Sequence, residues 1–294
     1  MTMPPGNLFV PARYAETIVR LGIGVELIDA LSTSPGYPGE RFPRPVTVLD
    51  EKRPAPLHTW RRWPPGLTLD DALTALTRHR SGRFARLGRD VDDLTVRVVE
   101  PPGPAGRALV PRRLRLRLHH DPVPADPPDP LYRRIFRVHL FPGAAGGPGP
   151  GATVIRGRVT RPDADGIAQP VRWVRAVARD EDGDDLGWAH GDDRGEFTLI
   201  VTGPDGVLTM PPDLLPVLVT VTVPPDGVPP PGDPLVPQVD PIWDLPVETT
   251  FADADPLTDP VRTGRSLWDG PESGPFVAEL ALGRETFLPI AITP

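Results

Sequence analysis

The chain has 294 residues, a formal net charge of −7, 39% hydrophobic and 24% charged residues, and no cysteine. That length accommodates two domains, the acidic balance argues against a general nucleic-acid role, and the lack of cysteine excludes disulfides, thiol chemistry and cysteine-based metal sites. Proline is the outlier at 44 residues, about 15% of the chain against a typical ~5%. Such a density forbids long helices and demands extended connectors.

The opening residues MTMPPGNLFVPARYAETIVRLGIG lack a basic start followed by an apolar core, so no signal peptide is expected. No run approaches the ~18 apolar residues of a membrane span. The expectation is a soluble, cytoplasmic protein. The first strand is predicted over 18–29, where Val19, Leu21, Ile23, Val25 and Leu27 take alternate positions. A turn cluster follows at 32–39, and Arg44 to Leu49 offers a short second strand. The Pro-rich connection 51–65 carries Trp60 and Trp63. Thr68 to Thr77 (TLDDALTALT) predicts one short helix, capped by Thr68 with Asp71 at the capping-box position. Phe84 and Leu87 come next, followed by Leu94, Val96 and Val98. The run RRLRLR then alternates Leu114 and Leu116, continued by Leu118, with Arg113, Arg115 and Arg117.

Strands separated by Pro/Gly turns with almost no helix predict an all-β protein built of β-sandwiches. The first is expected over 1–120, followed by a Pro-rich linker at 121–130. A second sandwich is expected over 131–223, opening with Leu131 to Phe141 and ending where Val217, Val219, Val221 and Val223 share a face. Residues 224–294 read as a Pro-rich arm with isolated Ile242, Trp243 and Leu245. The arm ends in a β-hairpin of Phe276, Ala278, Leu280 and Leu282 against Leu288, Ile290 and Ile292.

Candidate chemistry is sparse. No Gly-x-Ser-x-Gly elbow, phosphate loop, His-Glu-x-x-His helix or dinucleotide fingerprint is present. His119 and His120 are adjacent and point apart on an extended chain, which prevents both from ligating one ion. His79 and Ser81 lack an implied carboxylate partner. Asp180, Asp182 and Asp184 have the first three spacings of a calcium loop, but Asp185 and Gly191 stand where glycine and glutamate are required. A solvated hairpin tip and a looser calcium site with Asp192 or Asp193 both remain open. Hence no catalytic residue, metal ligand or cofactor is assigned. Trp60 and Trp63 suit either a carbohydrate or peptide platform or loop anchoring. The Arg113, Arg115 and Arg117 face suits an acidic protein partner or local pairing. Ile242, Trp243 and Trp268 need an apolar surface, on this chain or a neighbour.

Residues 153–201 carry the strongest signal. Gly157 and Val159 close one alternating run, Pro170 opens a second over Val171, Trp173 and Val177, broken by Arg175, and Asp192, Gly195 and Phe197 lead into a third. Asp192 or Asp193 can cap a turn, Gly195 can take positive φ, and Phe197 can anchor the returning strand. This order resembles the carboxypeptidase regulatory-like domain, a transthyretin-like β-sandwich that serves as a non-catalytic accessory module. The resemblance implies two Ig/transthyretin-like sandwiches with Pro-rich extended arms.

Strand 18–31 ending in Asp-Ala-Leu-Ser, RHRSGRFA (78–85) and VPRRLRLRL (110–118) resemble accessory proteins of contractile injection systems, which are phage-tail-like particles. That resemblance implies a cap or adaptor role joining sheath and inner tube, with partner subunits of a large assembly and a homo-oligomeric ring. The other function class left open is a stand-alone carbohydrate- or peptide-binding module.

Overall fold

The computed structural model describes residues 21–33, 37, 39–51, 77–78, 84–87, 93–101, 108–119, 134–202, 214–225 and 241–293. These residues form an all-β protein of four four-stranded sheets, which share two large apolar cores. In the first, β1 (Leu21–Asp29), β2 (Thr47–Asp50), β3 (Thr77–Arg78), β4 (Phe84–Leu87), β5 (Asp93–Val99), β6 (Arg112–Arg117) and β7 (Ile135–Leu140) supply the sheet β3-β4-β1-β7 and most of its mate. The alternation read from sequence sets the core face. In the β5–β6 ladder Leu94 pairs with Leu116 and Val96 with Leu114, and all four are buried. Ile23, Val25, Leu27, Phe136, Val138 and Leu140 pack against them from the opposite sheet.

The second sandwich contains β8 (Thr153–Pro162), β9 (Ala168–Pro170), β10 (Arg175–Arg179), β11 (Asp185–His190), β12 (Glu196–Val201) and β13 (Leu215–Thr222). Its turn chemistry matches the sequence reading closely. The Asp192 carboxylate accepts the Arg194 and Glu196 amides at 2.8 and 3.0 Å, and Gly195 stands at φ 70°. Phe197 is 1% exposed and lies over Gly157, where a Cβ would fall 2.0 Å from the ring. The acidic tip 181–185 is exposed, and Asp180 accepts the Asp182 and Asp184 amides.

The C-terminal segment corrects the sequence reading most. β14 (Val247–Phe251) pairs in parallel with β6 and completes the first sandwich as β14-β6-β5-β2. β15 (Glu272–Leu280) joins β13 in the sheet β11-β10-β13-β15, while β16 (Glu285–Ala291) joins β8 in parallel in the facing sheet β12-β8-β16. The expected hairpin is therefore a strand pair split across the sandwich, each member hydrogen-bonded to an older strand and not to the other. Likewise Ile135–Leu140, assigned by sequence to the second sandwich, pairs in parallel with Leu21–Asp29 in the first. Alternation marks a strand but carries no information about a distant parallel partner. The run 170–178 is not one strand either: β9 ends at Pro170, Trp173 takes φ 58°, and β10 begins at Arg175.

The predicted helix 68–77 lies outside the described residues except for Thr77, which opens β3. The short helix that is described, α1 (Pro260–Thr263), has Asp259 as N-cap, proline at its start and Gly264 at φ 71° as its left-handed stop.

The Gly157–Phe197 contact leaves no room for a methyl group. Gly157→Ala is expected to destabilise the protein by about 1–3 kcal/mol through overpacking, read from urea denaturation; an unchanged midpoint would refute the contact. Ending the chain at Pro225 removes one strand from each of three sheets. We expect that truncation to lose near-ultraviolet circular dichroism and bind a hydrophobic dye, whereas a native-like spectrum would show that the segment is dispensable.

Candidate functional site at the sandwich junction

The parity of β6 places Arg112 in phase with Leu114 and Leu116, on the core face. A guanidinium in such a position needs partners. It finds them on β14, whose own alternation turns Glu248 and Thr250 inward. Arg112 Nε and Nη2 donate to the two Glu248 carboxylate oxygens at 3.0 and 2.9 Å, a bidentate pair. Its remaining donors reach the carbonyls of His139 (2.9 Å) and Val261 (2.6 Å). Arg112 is fully buried and Glu248 only 6% exposed.

The second sandwich contributes the other cation. Arg175 lies on the face of β10 opposite Val174, Ala176 and Ala178, which fill that sandwich's core. Its Nη2 reaches Glu248 at 2.9 Å, and its guanidinium stacks 4.5 Å over Trp268. Ser266 Oγ adds a 2.7 Å donation to the same carboxylate. One carboxylate thus bridges two guanidiniums that belong to different sandwiches.

Burial acts to raise the Glu248 carboxyl, but Arg112 and Arg175 outweigh it and hold it below the ordinary carboxylate value. Burial pushes Arg175 down to about 10 against the pull of Glu248.

His190 sits beside this bridge, cross-strand from Arg175. Its Nε2 donates to the Gly264 carbonyl at 2.7 Å, and its ring is 4.6 Å from that of Phe141. Nδ1 is buried without a partner. Burial, followed by the charges of Arg175 and Arg112, holds the imidazole well below its ordinary value, so it is neutral.

An apolar cluster flanks the ions, formed by Val110, Trp173, Ile242 and Leu245 with Val99 and Trp268 against them. Trp173 is the one described non-glycine residue at positive φ, a conformation that costs of order 1–3 kcal/mol and persists only where its surroundings enforce it. Here the enforcement is direct. The indole Nε1 donates to the Pro241 carbonyl at 3.0 Å, and the Trp173 carbonyl accepts Trp268 Nε1 at 2.7 Å.

The residues singled out from sequence divide accordingly. Ile242 and Trp268 find their apolar surface within this chain, at the junction. The backbone of Trp243 lies in the 3-10 turn Pro241–Asp244. Arg113 pairs with Glu51 and donates to the Leu245 carbonyl, Arg115 pairs with Asp93, and Arg117 lies over Phe251, so local pairing describes this face. Trp60 and Trp63 lie outside the described residues, as do His79, Ser81 and His120. Sequence reasoning missed Arg112, Glu248, Arg175 and His190 as a group. The signal was charge falling on an apolar parity, visible at Arg112 and at the break that Arg175 makes in its run.

Among the described residues no group of three or more His, Cys, Asp or Glu is placed to hold a metal ion, and no helix is long and apolar enough to cross a membrane.

No protein-family model matches the chain, and no curated protein matches its sequence. Among solved structures it is similar to the minor pilin GBS52 of Streptococcus agalactiae, at 8% identity and a TM-score of 0.24, with 92% of this chain and 94% of that one covered. It is also similar to the Bacillus anthracis TIE protein, at 8% identity and a TM-score of 0.18, with 79% and 33% covered. Scores this low carry no argument about fold or function.

Glu248→Gln leaves two buried guanidiniums without their counter-charge. The expected loss is about 3–5 kcal/mol in urea denaturation. Replacing the three ions together by Met, Leu and Met (Arg112→Met, Glu248→Leu, Arg175→Met) should cost far less, because nothing charged is stranded. The pH dependence has a defined sign. The folded value of Glu248 lies below its ordinary 4.5, so its stabilisation is complete above that pH and is lost as pH falls through the folded value. Wild type should therefore lose stability below about pH 4.5 more steeply than Glu248→Gln. Parallel acid limbs would show that Glu248 is not the responsible group.

Proposed function

We propose that this chain is a non-catalytic structural protein of a contractile injection system, a cap or adaptor component joining sheath and inner tube as part of an assembled cytoplasmic particle. The observation that carries the reading is the junction. A bridging carboxylate, a forced tryptophan turn and a strand-supplying C-terminal segment couple the two sandwiches into one stiff body. A protein that transmits load or fixes spacing between neighbours needs that stiffness. The resemblance of 153–201 to an accessory sandwich module supports the same reading, as does the resemblance of 18–31, 78–85 and 110–118 to injection-system accessory proteins.

The sequence reading offered Ile242, Trp243 and Trp268 as possible contacts with neighbouring subunits and left the terminal strands open between this chain's own sheets and a partner's edge. Within the described residues 241–293, Ile242, Trp268 and the terminal strands complete this chain instead. Contact with partners then falls to the outer surfaces of the sandwiches. There Val277 on β15 and Phe287 on β16 are 61% and 65% exposed on strands at the sheet edges.

The test is affinity capture of the tagged full chain from its native host, read by mass spectrometry beside size-exclusion chromatography with mass measurement. Sheath and tube proteins in the capture, with a ring-sized homo-oligomer or a larger complex, are the expected result. A lone monomer that retains only a glycan or a short peptide would replace this reading with that of a binding module. Phe287→Ser is expected to lower recovery of those partners severalfold while leaving the thermal midpoint of the isolated chain unchanged.

A further inference from the structure

We propose that His190 makes the junction an acid-sensitive latch: taking up a proton at Nδ1 sets a third cation beside Arg175 and Arg112, and the two sandwiches separate. The proposal stands on the geometry of the junction and is independent of the assembly reading.

The charges around the ring come from several elements. Arg175 reaches it from β10, the neighbouring strand, and Arg112 from β6 of the other sandwich. Glu248 on β14 is the carboxylate that bridges those two cations. From the segment after α1 comes the Gly264 carbonyl, which holds Nε2. Arg262 in α1 is turned away, donating to Thr250 Oγ1 and the Phe251 carbonyl. The loop after β7 presents the uncharged Phe141 ring. His139, the other buried histidine, lends its carbonyl to Arg112. Asp192, two residues beyond His190, is tied to the Arg194 and Glu196 amides.

Two guanidiniums and one carboxylate leave the bridge with one net positive charge. A proton on Nδ1 raises that to two inside a site that water does not reach, where like charges repel strongly. Nε2 already holds its only acceptor, so the added proton has no partner waiting. The relief available is to open the junction and hydrate the ring. Opening also breaks the contact to Gly264, whose segment leads into β15.

The direction follows from linkage. The ring is held neutral well below its ordinary 6.5, so the opened state binds the proton more readily than the closed one. Above pH 6.5 the histidine contributes no pH dependence. Below it, closure weakens by about tenfold in the open-to-closed ratio per pH unit, until the closed-state value is reached. Asp192 acts with the opposite sign: burial raises its carboxyl above 3.8, so acid favours its folded form. A loss of closure on acidification from pH 6.5 to 4.5 therefore has the sign of His190 and not of Asp192, and His190→Gln separates it from the other histidines.

The absence of native cysteine makes the test direct. Leu31→Cys on the first sandwich and Asp182→Cys on the β10–β11 tip, both exposed, carry a donor–acceptor dye pair on the full chain. Transfer is followed from pH 8 to pH 4.5, with circular dichroism confirming retained strand content. Wild type is expected to lose transfer below pH 6.5, while His190→Gln, whose amide still donates to Gly264 but never gains charge, stays flat. The same pH curve in His190→Gln overturns the proposal, as does constant transfer in wild type. Should the variant fail to fold, nitrogen-labelled histidine spectra of the wild type decide. A ring that stays neutral past pH 6 and takes up its proton together with the loss of transfer supports the latch; a ring titrating near 6.5 with transfer unchanged sinks it.

Discussion

One carboxylate, that of Glu248, is the constraint on which this architecture turns. It accepts two bonds from Arg112, one from Arg175 and one from Ser266. Those groups come from the first sandwich, the second sandwich and the chain that runs between β14 and β15. Burying such a group costs several kcal/mol, which an attractive partner offsets only when geometry and remaining hydrogen bonds are nearly complete. The bridge therefore adds little net stability, and its three ions are paired with the two sandwiches in this relation.

The apolar cluster beside the ions works differently. Trp173, Ile242 and Leu245 contribute non-directional burial, which alone would tolerate sliding. The directed bonds from Trp173 Nε1 to Pro241 and from Trp268 Nε1 to Trp173 remove that freedom. Packing area and hydrogen-bond direction thus divide the work at the junction. The strain at Trp173 shows how firmly the surroundings dictate the backbone there.

The same C-terminal stretch explains why the two sandwiches belong to one folding problem. β14 closes the first, β15 and β16 close the two sheets of the second, and α1 with its glycine stop redirects the chain between them. Long-range pairings of this kind, three of them parallel among the described residues, raise contact order and slow folding. They also tie the junction to the sheets: the Gly264 carbonyl that His190 contacts lies in the segment leading into β15.

What the sequence determined by itself is local. A period of two named the strands and their buried faces correctly at β5, β6, β13 and β8, because alternation is a property of neighbouring residues on one pleated chain. The Asp192–Gly195–Phe197 turn was equally legible, since a capping carboxylate and a positive-φ glycine act within a few residues. Only the tertiary structure decided which sheet received β7, β14, β15 and β16, because their partners, parallel for β7, β14 and β16 and antiparallel for β15, lie far along the chain and leave no mark in a strand's own pattern. It alone also turned Arg112, which the sequence reading did not single out, and Arg175, read from sequence as a break in an apolar face, into two sides of one ion bridge. A buried charge acquires meaning only from the counter-charge that the fold brings to it.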